Sequence, residues 1–528
     1  MTNLTPEQRA LGRANANEVI GSTRRDFLKA AAVAPALGAF YFGYKEMGDK
    51  PPVRAAIIGT GNEGCQAMIH DHNRAYVDYV GYCDARPSQQ ERAVKEFAKH
   101  KDYSADDVAK LTKYADIDEL LKDDRVEMVV IALPLWLHAP IAIKAMKAGK
   151  HVFCEKLMAH TVSQCKEMVK TAHDTNRLLA IGHQRHYSAL YDNANYLVQE
   201  GHLGEIRHIR ALWHRNLANP MIEKDSDGKL VYDDKTGLPV YKRDQAGNVM
   251  YFDSWKPDIL EADRGVDFAK YGYKSLDELI RWRLYNRTGA GLMAELGSHQ
   301  LDACSIFLGK KHPLAVTGIG GTFFYTDGRE VDDHVCVNFE FPGKTESEHD
   351  RVIVSYSSIT TNGFESYGEE LMGSRGTMFV EQEKEVLLYK EVDRNTYKGG
   401  GGPKATTVTV EPGKAGAKPT VEASPSAAGP SAASSYGGLA TADPSKGYRE
   451  ELEHFAYCVR HGNSSAYHDD PDHKPRCRGE VALGDAVIAL TSNLAMRQKR
   501  RIDFDPRWFD WQSPEVPENA GNQVARRG

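Results

Sequence analysis

The sequence predicts an α/β fold. A doubly wound parallel sheet comes first, and an α+β domain with a large, mostly antiparallel open sheet follows. Three observations carry this reading. The apolar run Val53–Ile58 opens directly into Gly59-Thr60-Gly61-Asn62-Glu63-Gly64. Apolar strand-like runs then alternate with helix-like segments up to about residue 180. Beyond that point β-type runs dominate and helices thin out.

Taken in order, residues 1–49 read as a signal and tether. Ser22-Thr23-Arg24-Arg25-Asp26-Phe27-Leu28-Lys29 matches the twin-arginine export pattern and leads into the apolar stretch Ala30 to Tyr44. That stretch has signal-peptide length and falls short of the roughly 20 residues of a spanning helix. Ala34-Pro35-Ala36 offers a small-residue cleavage site; left uncut, the segment would tether the protein to the membrane. The twin-arginine export machinery is therefore an expected partner and the periplasm the expected location.

Residues 50–180 read as a dinucleotide-binding domain of the Rossmann type. Glycine at 59 permits a tight turn, glycine at 61 lets backbone approach a pyrophosphate, and glycine at 64 lets helix and strand pack closely. Thr60, Asn62 and Glu63 share that loop, and the helix Cys65–His70 would aim its N-terminus at the phosphates. The second strand, Tyr79–Cys83, ends at Asp84, whose carboxylate suits the adenosine ribose hydroxyls of NAD. Arg86 offers a 2′-phosphate contact instead, so NADP stays open. The plainer reading of Asp84 is a solvated strand end. Val126–Ala132 is the next strand and ends at Leu133-Pro134. A helix from Leu137 to Ala148 is stopped by Gly149. The strand His151–Cys154 ends at Glu155-Lys156, and Leu178–Gly182 follows. Ligands sit beyond the carboxyl ends of such strands, which places Pro134 and Lys156 in the crevice.

Residues 181–397 read as the second domain, with strands at Ile206–His214, Ala315–Tyr325, Val335–Phe341 and Arg351–Ser358. An insert at about 219–275 carries turn signals at Asp227-Gly228, Thr236-Gly237 and Ala246-Gly247 and reads as a small β-meander. Asp225 and Asp227 lack the remaining ligands of a calcium loop and read as a turn. Residues 398–445, rich in Gly, Ala, Pro and Ser, read as a flexible loop. Residues 446–511 hold two helices, Tyr448–Gly462 and Glu480–Arg497, that pack back on the first domain, and 512–528 read as a disordered tail.

Composition narrows the function. A net charge of -6 leaves no basic face for nucleic acid or anionic lipid. The eight cysteines contain no CxxC pair, and no residue set reads as a metal site. Buried free thiols are expected, with Cys458–Cys477 the one bridge left open. Between Gly289 and Phe307 a helix from Leu292 carries Glu295, His299 and Asp302 at i, i+4 and i+7. A carboxylate one turn from an imidazole fixes its tautomer, so His299 reads as a general base and Glu295 as its partner. Buried, hydrogen-bonded packing explains the same stripe equally well. Lys156, at its strand end, can polarise a carbonyl or relay a proton. Trp282 and Arg283, just before the helix, suit a sugar ring and its hydroxyls, and equally suit ordinary packing.

The chain resembles the glucose-fructose oxidoreductase / inositol dehydrogenase (Gfo/Idh/MocA) family. The resemblance lies in the glycine fingerprint, Leu133-Pro134 with His138, Ala148-Gly149-Lys150-His151-Val152, Glu155-Lys156, Gly182-His183-Gln184-Arg185 and Gly297-Ser298-His299-Gln300-Leu301-Asp302. Arg500-Arg501-Ile502-Asp503-Phe504-Asp505 is similar to the family's usual ending. Two departures stand out: Leu157 where the family usually has proline, and Glu295 where it often has aspartate. The resemblance implies catalysis by Lys156 and His299. It implies cofactor contacts from Leu133, Pro134, His138, Glu155 and Gln184. It places Arg185, Tyr187 and Asp302 near substrate and implies a homo-oligomer through the large sheet.

The expected activity is that of an exported NAD(P)-dependent oxidoreductase acting on a sugar or cyclitol carbinol. Export removes the free nicotinamide pool, so the cofactor, NAD or NADP, should stay bound. Two alternatives use the same residues. One is a redox-neutral glycoside hydrolase or lyase that oxidises, eliminates, adds water and reduces. The other is a non-catalytic cofactor-bound sugar-binding protein, which the pairing of Lys156 with His299 argues against.

Overall fold

The computed structural model describes residues 4–20, 42–244, 247–345, 347–391, 408–411, 420–423 and 446–519. The twin-arginine segment, its cleavage site, Ala246, most of 398–445 and the last residues of the tail lie outside the described residues.

The first sheet is fully parallel. Its strands are β1 (Val53–Ile58), β2 (Val77–Cys83), β3 (Thr112–Lys113), β4 (Met128–Ile131), β5 (His151–Glu155) and β6 (Leu179–Gly182), in the order β3-β2-β1-β4-β5-β6. The order reverses at β1, and the crevice between the carboxyl ends of β1 and β4 opens there, as it does in doubly wound sheets. β4 and β5 are buried at every position, as expected of strands covered on both faces. Two hydrophobic cores flank the sheet, one holding Ile58, Val129 and Cys154, the other Ile57, Val130 and Phe153. Alternate residues of each strand thus feed opposite cores.

The second sheet joins β7 (Ile206–His214), β8 (Ala315–Gly321), β9 (His334–Pro342), β10 (Arg351–Ile359), β11 (Tyr367–Gly373), β12 (Gly376–Glu381), β13 (Glu385–Lys390) and β16 (Ile502–Asp503). Their order is β13-β12-β11-β7-β10-β9-β8-β16, antiparallel except where β10 runs parallel to β7. One face packs on the helix Ser298–Phe307 and the helix Gly479–Gln498, and Val337, Phe339, Val354 and Leu371 are buried there. The other face leaves Ile319 71% exposed.

The insert is a ladder of small hairpins. Bridges join Pro220 to Tyr251, Ile222 to Tyr241, Lys224 to Leu230, Tyr232 to Pro239 and Arg243 to Val249. Asp225 closes its turn by accepting from Asp227 N and Lys229 N, each at 2.9 Å, which accounts for the aspartates without a cation.

Two expectations need correction. Within 398–445, β14 (Val408–Glu411) and β15 (Thr420–Ala423) pair as an antiparallel ribbon, where no structure was expected. Tail residues up to 519 are ordered. Lys166 Nζ gathers the carbonyls of Arg507, Ser513 and Glu515, and Glu518 accepts from Val162 N at the start of the helix Val162–Thr175. Cys458 and Cys477 are both buried free thiols, the reading preferred from the sequence, and the bridge left open there is not formed. The helix Tyr448–His461 buries Leu452 and Phe455 in the core that also holds Ile57, Val130 and Phe153.

Candidate active site

The fingerprint loop divides its work among three glycines. Gly59 has φ +93°, and a Cβ there would meet Ala132 O at 2.3 Å. Gly64 packs so tightly that a Cβ would meet Gly59 O at 2.1 Å. Gly61 faces open space, with nothing within 4 Å of its Cβ position. That opening, bounded by Asn62 and Glu63, is the approach a pyrophosphate requires. Thr60 is fully buried, and it shapes the loop from behind: its N–H donates to Asp84 Oδ2 at 2.7 Å. Arg86 N donates to Asp84 Oδ1 at 2.9 Å. Gly64 and Thr60 are therefore scaffold, while Gly59, Gly61, Asn62 and Glu63 line the cleft.

The cleft has a volume of about 720 Å³ and lies between the two sheets. Asp84 and Arg86 line one end; Leu133, Pro134 and His138 line its middle; Lys156, Glu295 and His299 line the other. His138 is buried, and its two ring nitrogens lie 2.8 Å from Leu133 O and Leu157 O, so it also ties the β4 and β5 loops together. Arg86 is not free for a phosphate. Its guanidinium donates to the buried carboxylate of Asp263 at 2.8 and 3.0 Å, and Ser88 N and Oγ donate to the same carboxylate. Asp263 comes from the insert, whose Trp255, Lys270, Tyr271 and Tyr273 close over the cleft.

At the catalytic end Lys156 Nζ donates to Glu295 O at 2.7 Å. Burial lowers its pKa, opposed by the nearby charges of Glu295, Glu155 and Glu63. The Lys156–Leu157 peptide is cis. Burial, with Lys156 and Arg185 next in weight, holds the His299 pKa well below its ordinary value. His299 is thus a neutral imidazole, with Nδ1 buried and without a hydrogen-bond partner. Glu155 is pushed up to about 8, chiefly by burial, and its Oε1 is likewise unpartnered.

The expected pairing of Glu295 with His299 is not formed. Met293–Gly297 is a π-turn leading into the helix Ser298–Phe307, and the wider turn breaks the i, i+4 stripe. The Glu295 carboxylate accepts from Arg283 Nε at 2.7 Å instead. Asp302 lies behind the site, where it accepts from Lys310 Nζ at 2.6 Å and contacts His186 Nε2 at 3.0 Å. Arg185 is also buried and does not line the cleft. It pairs with Glu369 and Glu383 and donates to His299 O at 2.6 Å, anchoring the catalytic turn. Tyr187 packs away from the cleft, its hydroxyl 2.7 Å from His454 Nδ1. The family resemblance implied that these three residues lie near substrate, but the short helical turn Gln184–Tyr187 aims Arg185 and Tyr187 inward. Gln184, Trp282 and Arg283 do line the cleft.

The sequence reading missed the wall supplied by β7 and β11. Trp213 stacks on Tyr367 at 4.5 Å, lies 5.3 Å from the His299 ring, and has the Arg215 guanidinium 5.1 Å from its ring centre. Glu383 and Tyr448 complete that wall. The aromatic and basic end of Ile206–His214 was the available signal.

Comparison with known proteins agrees with this geometry. A family model described as "Oxidoreductase family, NAD-binding Rossmann fold" matches residues 53–183, and one described as "GFO/IDH/MocA C-terminal domain" matches residues 267–379. Both are models of the Gfo/Idh/MocA family, and they match 131 and 113 residues of the chain. An uncharacterised oxidoreductase of Schizosaccharomyces pombe is 31% identical over 317 residues, 59% of this chain and 66% of that protein. A glycosyl hydrolase family 109 protein of a Shewanella species is 31% identical over 178 residues, 33% of this chain and 37% of that protein. The chain therefore spans less than two thirds of the length of these curated relatives. Among solved structures, an aldose-aldose oxidoreductase from Caulobacter crescentus, complexed with glycerol, superposes with a TM-score of 0.51 at 18% identity, covering 86% of this chain and 100% of that one. An NAD-binding protein from Listeria innocua gives 0.52 at 16% identity, covering 85% and 96%. These two share the fold of this chain.

Proposed function

We propose that the protein is an exported oxidoreductase that moves hydride between a sugar or cyclitol carbinol and a nicotinamide dinucleotide that stays bound. One observation carries the reading: a single cleft runs from the open fingerprint loop and Asp84 to Lys156 and the neutral His299. The residues fit the cofactor. Gly61 leaves room for a pyrophosphate, and Asp84 ends β2 where a ribose would lie. When bound, the nicotinamide supplies a hydride acceptor. His299 takes the carbinol proton, and the Lys156 ammonium, held by Glu295 O, stabilises charge on the substrate oxygen. Trp213, Trp255 and Trp282 offer ring faces to a sugar.

The ion pair of Arg86 with Asp263 supports NAD over NADP, because the guanidinium suited to a 2′-phosphate is already neutralised. The insert closing over the cleft supports retention. Export rests on the twin-arginine sequence alone, and no helix among the described residues is long and apolar enough to cross a membrane. The open face of the large sheet, with Ile319 71% and Ile353 38% exposed, supports a homo-oligomer.

To test this, NAD-loaded protein is mixed with a panel of sugars and glycosides and its reduced-nicotinamide absorbance followed. The native protein should reduce its bound cofactor with at least one. Lys156→Ala and His299→Ala should slow that step by about 100-fold or more while keeping the cofactor, the usual worth of a general acid or base. Unchanged rates in both variants would remove the assignment. The resemblance to glycosyl hydrolase family 109 proteins, together with Tyr448 and Glu383 in the cleft, favours redox-neutral glycoside cleavage as the second reading. Aglycone release without accumulating reduced cofactor would select it.

A further inference from the structure

We infer that the substrate carries a carboxylate, held by Arg215: the protein acts on a uronic or aldonic acid or its glycoside, a neutral sugar being the poorer ligand. This rests on the function proposed above and adds the substrate class.

Arg215 follows directly on β7 and lines the cleft at its catalytic end. Its guanidinium lies over Trp213, whose indole neighbours the His299 ring. That stack places the charge one aromatic layer from the proposed base. Among the described residues no carboxylate is within ion-pair distance of Arg215. The other guanidiniums of the region are matched: Arg283 by Glu295, Arg86 by Asp263, and Arg185 by Glu369 and Glu383.

An unpaired guanidinium in a partly dehydrated wall is unfavourable unless a ligand completes it. Burial lowers the Arg215 pKa. Glu295 opposes that, and the like charge of Arg283 adds to it. The group stays cationic all the same, because arginine gives up its proton only far above neutral pH. Glu295 is already engaged, since its carboxylate holds Arg283 and its carbonyl holds Lys156. The unmatched Arg215 guanidinium calls for a negative group, and a carboxylate meets its fork in two parallel hydrogen bonds with a single charge. The stacked pair Trp213–Tyr367 beside it adds aromatic surface to the wall that a sugar ring would meet.

The test is calorimetric binding to NAD-loaded protein of three matched pairs: glucose with glucuronate, galactose with galacturonate, and mannose with mannuronate. Glucose 6-phosphate is a further probe. At least one acid should bind about 10- to 100-fold more tightly than its neutral partner, the worth of a charge-assisted hydrogen bond. Arg215→Gln should erase that difference, Arg215→Lys should restore part of it, and both should keep the cofactor. Equal or absent binding of all three acids would overturn the inference, as would tighter binding of the phosphate ester. Loss of bound NAD in Arg215→Gln would assign the residue to the cofactor instead, and would also overturn it. If acids bind through Arg215 but the cofactor is never reduced, the carboxylate site stands and the oxidoreductase reading falls.

Discussion

His299 is the base of the proposed chemistry, and its surroundings set a pH signature. Burial holds its pKa well below the ordinary histidine value, and neighbouring Lys156 and Arg185 push the same way. A base must be deprotonated to work, so a depressed pKa moves the acid limb of activity downward. Reduction of the bound cofactor should therefore stay level as pH falls through about 6.5, the free histidine value, and decline only in more acidic buffer. A rate profile with its acid limb at the ordinary histidine pKa would show that His299 is hydrated and not the group described. At this scale the strand end pointed to Lys156 and the family resemblance to His299, and the structure brings both to one cleft. Nothing in the sequence signalled that Glu295 would turn to Arg283. That choice is made by a π-turn, a backbone detail with no local signature.

The glycine loop and the insert differ at the scale of elements in how far sequence reaches. Turn chemistry is local, so the spacing of Gly59, Gly61 and Gly64 between an apolar strand and a helix was readable at once. The hairpins of the insert were readable too, from glycines at 228, 237 and 247, all with positive φ. What the insert does was hidden, because it depends on a contact between residues 177 apart: Asp263 reaches back to Arg86 and Ser88 on the cofactor domain. That latch makes a prediction. In Asp263→Ala, Arg86 is released and the insert loses its anchor. Competition binding should show NADP gaining on NAD by about tenfold or more, the worth of one charge-assisted contact. Bound dinucleotide should also dissociate faster. An unchanged NADP-to-NAD ratio would show that Arg86 takes no part in reading the ribose.

Among the described residues the two large sheets flank the cleft, and the cleft draws on segments from residue 58 to residue 448. Binary patterning and strand-helix alternation were enough to foresee both sheets. The wall built by Trp213, Arg215 and Tyr367 was not foreseen, since strand pairing between β7 and β11 decides which side chains meet there. The N-terminal helix Pro6–Ile20 shows the same limit. Arg9 pairs with Glu381 and Glu385, each at 2.6 Å, a docking across more than 370 residues that no pattern within the helix announces. Everything proposed for function depends on a dinucleotide occupying the cleft. The direct measurement is to denature the purified protein and identify by mass spectrometry what it releases. Close to one NAD per chain is the predicted result. Release of no dinucleotide, together with failure of the native protein to take up NAD or NADP when supplied, would contradict it.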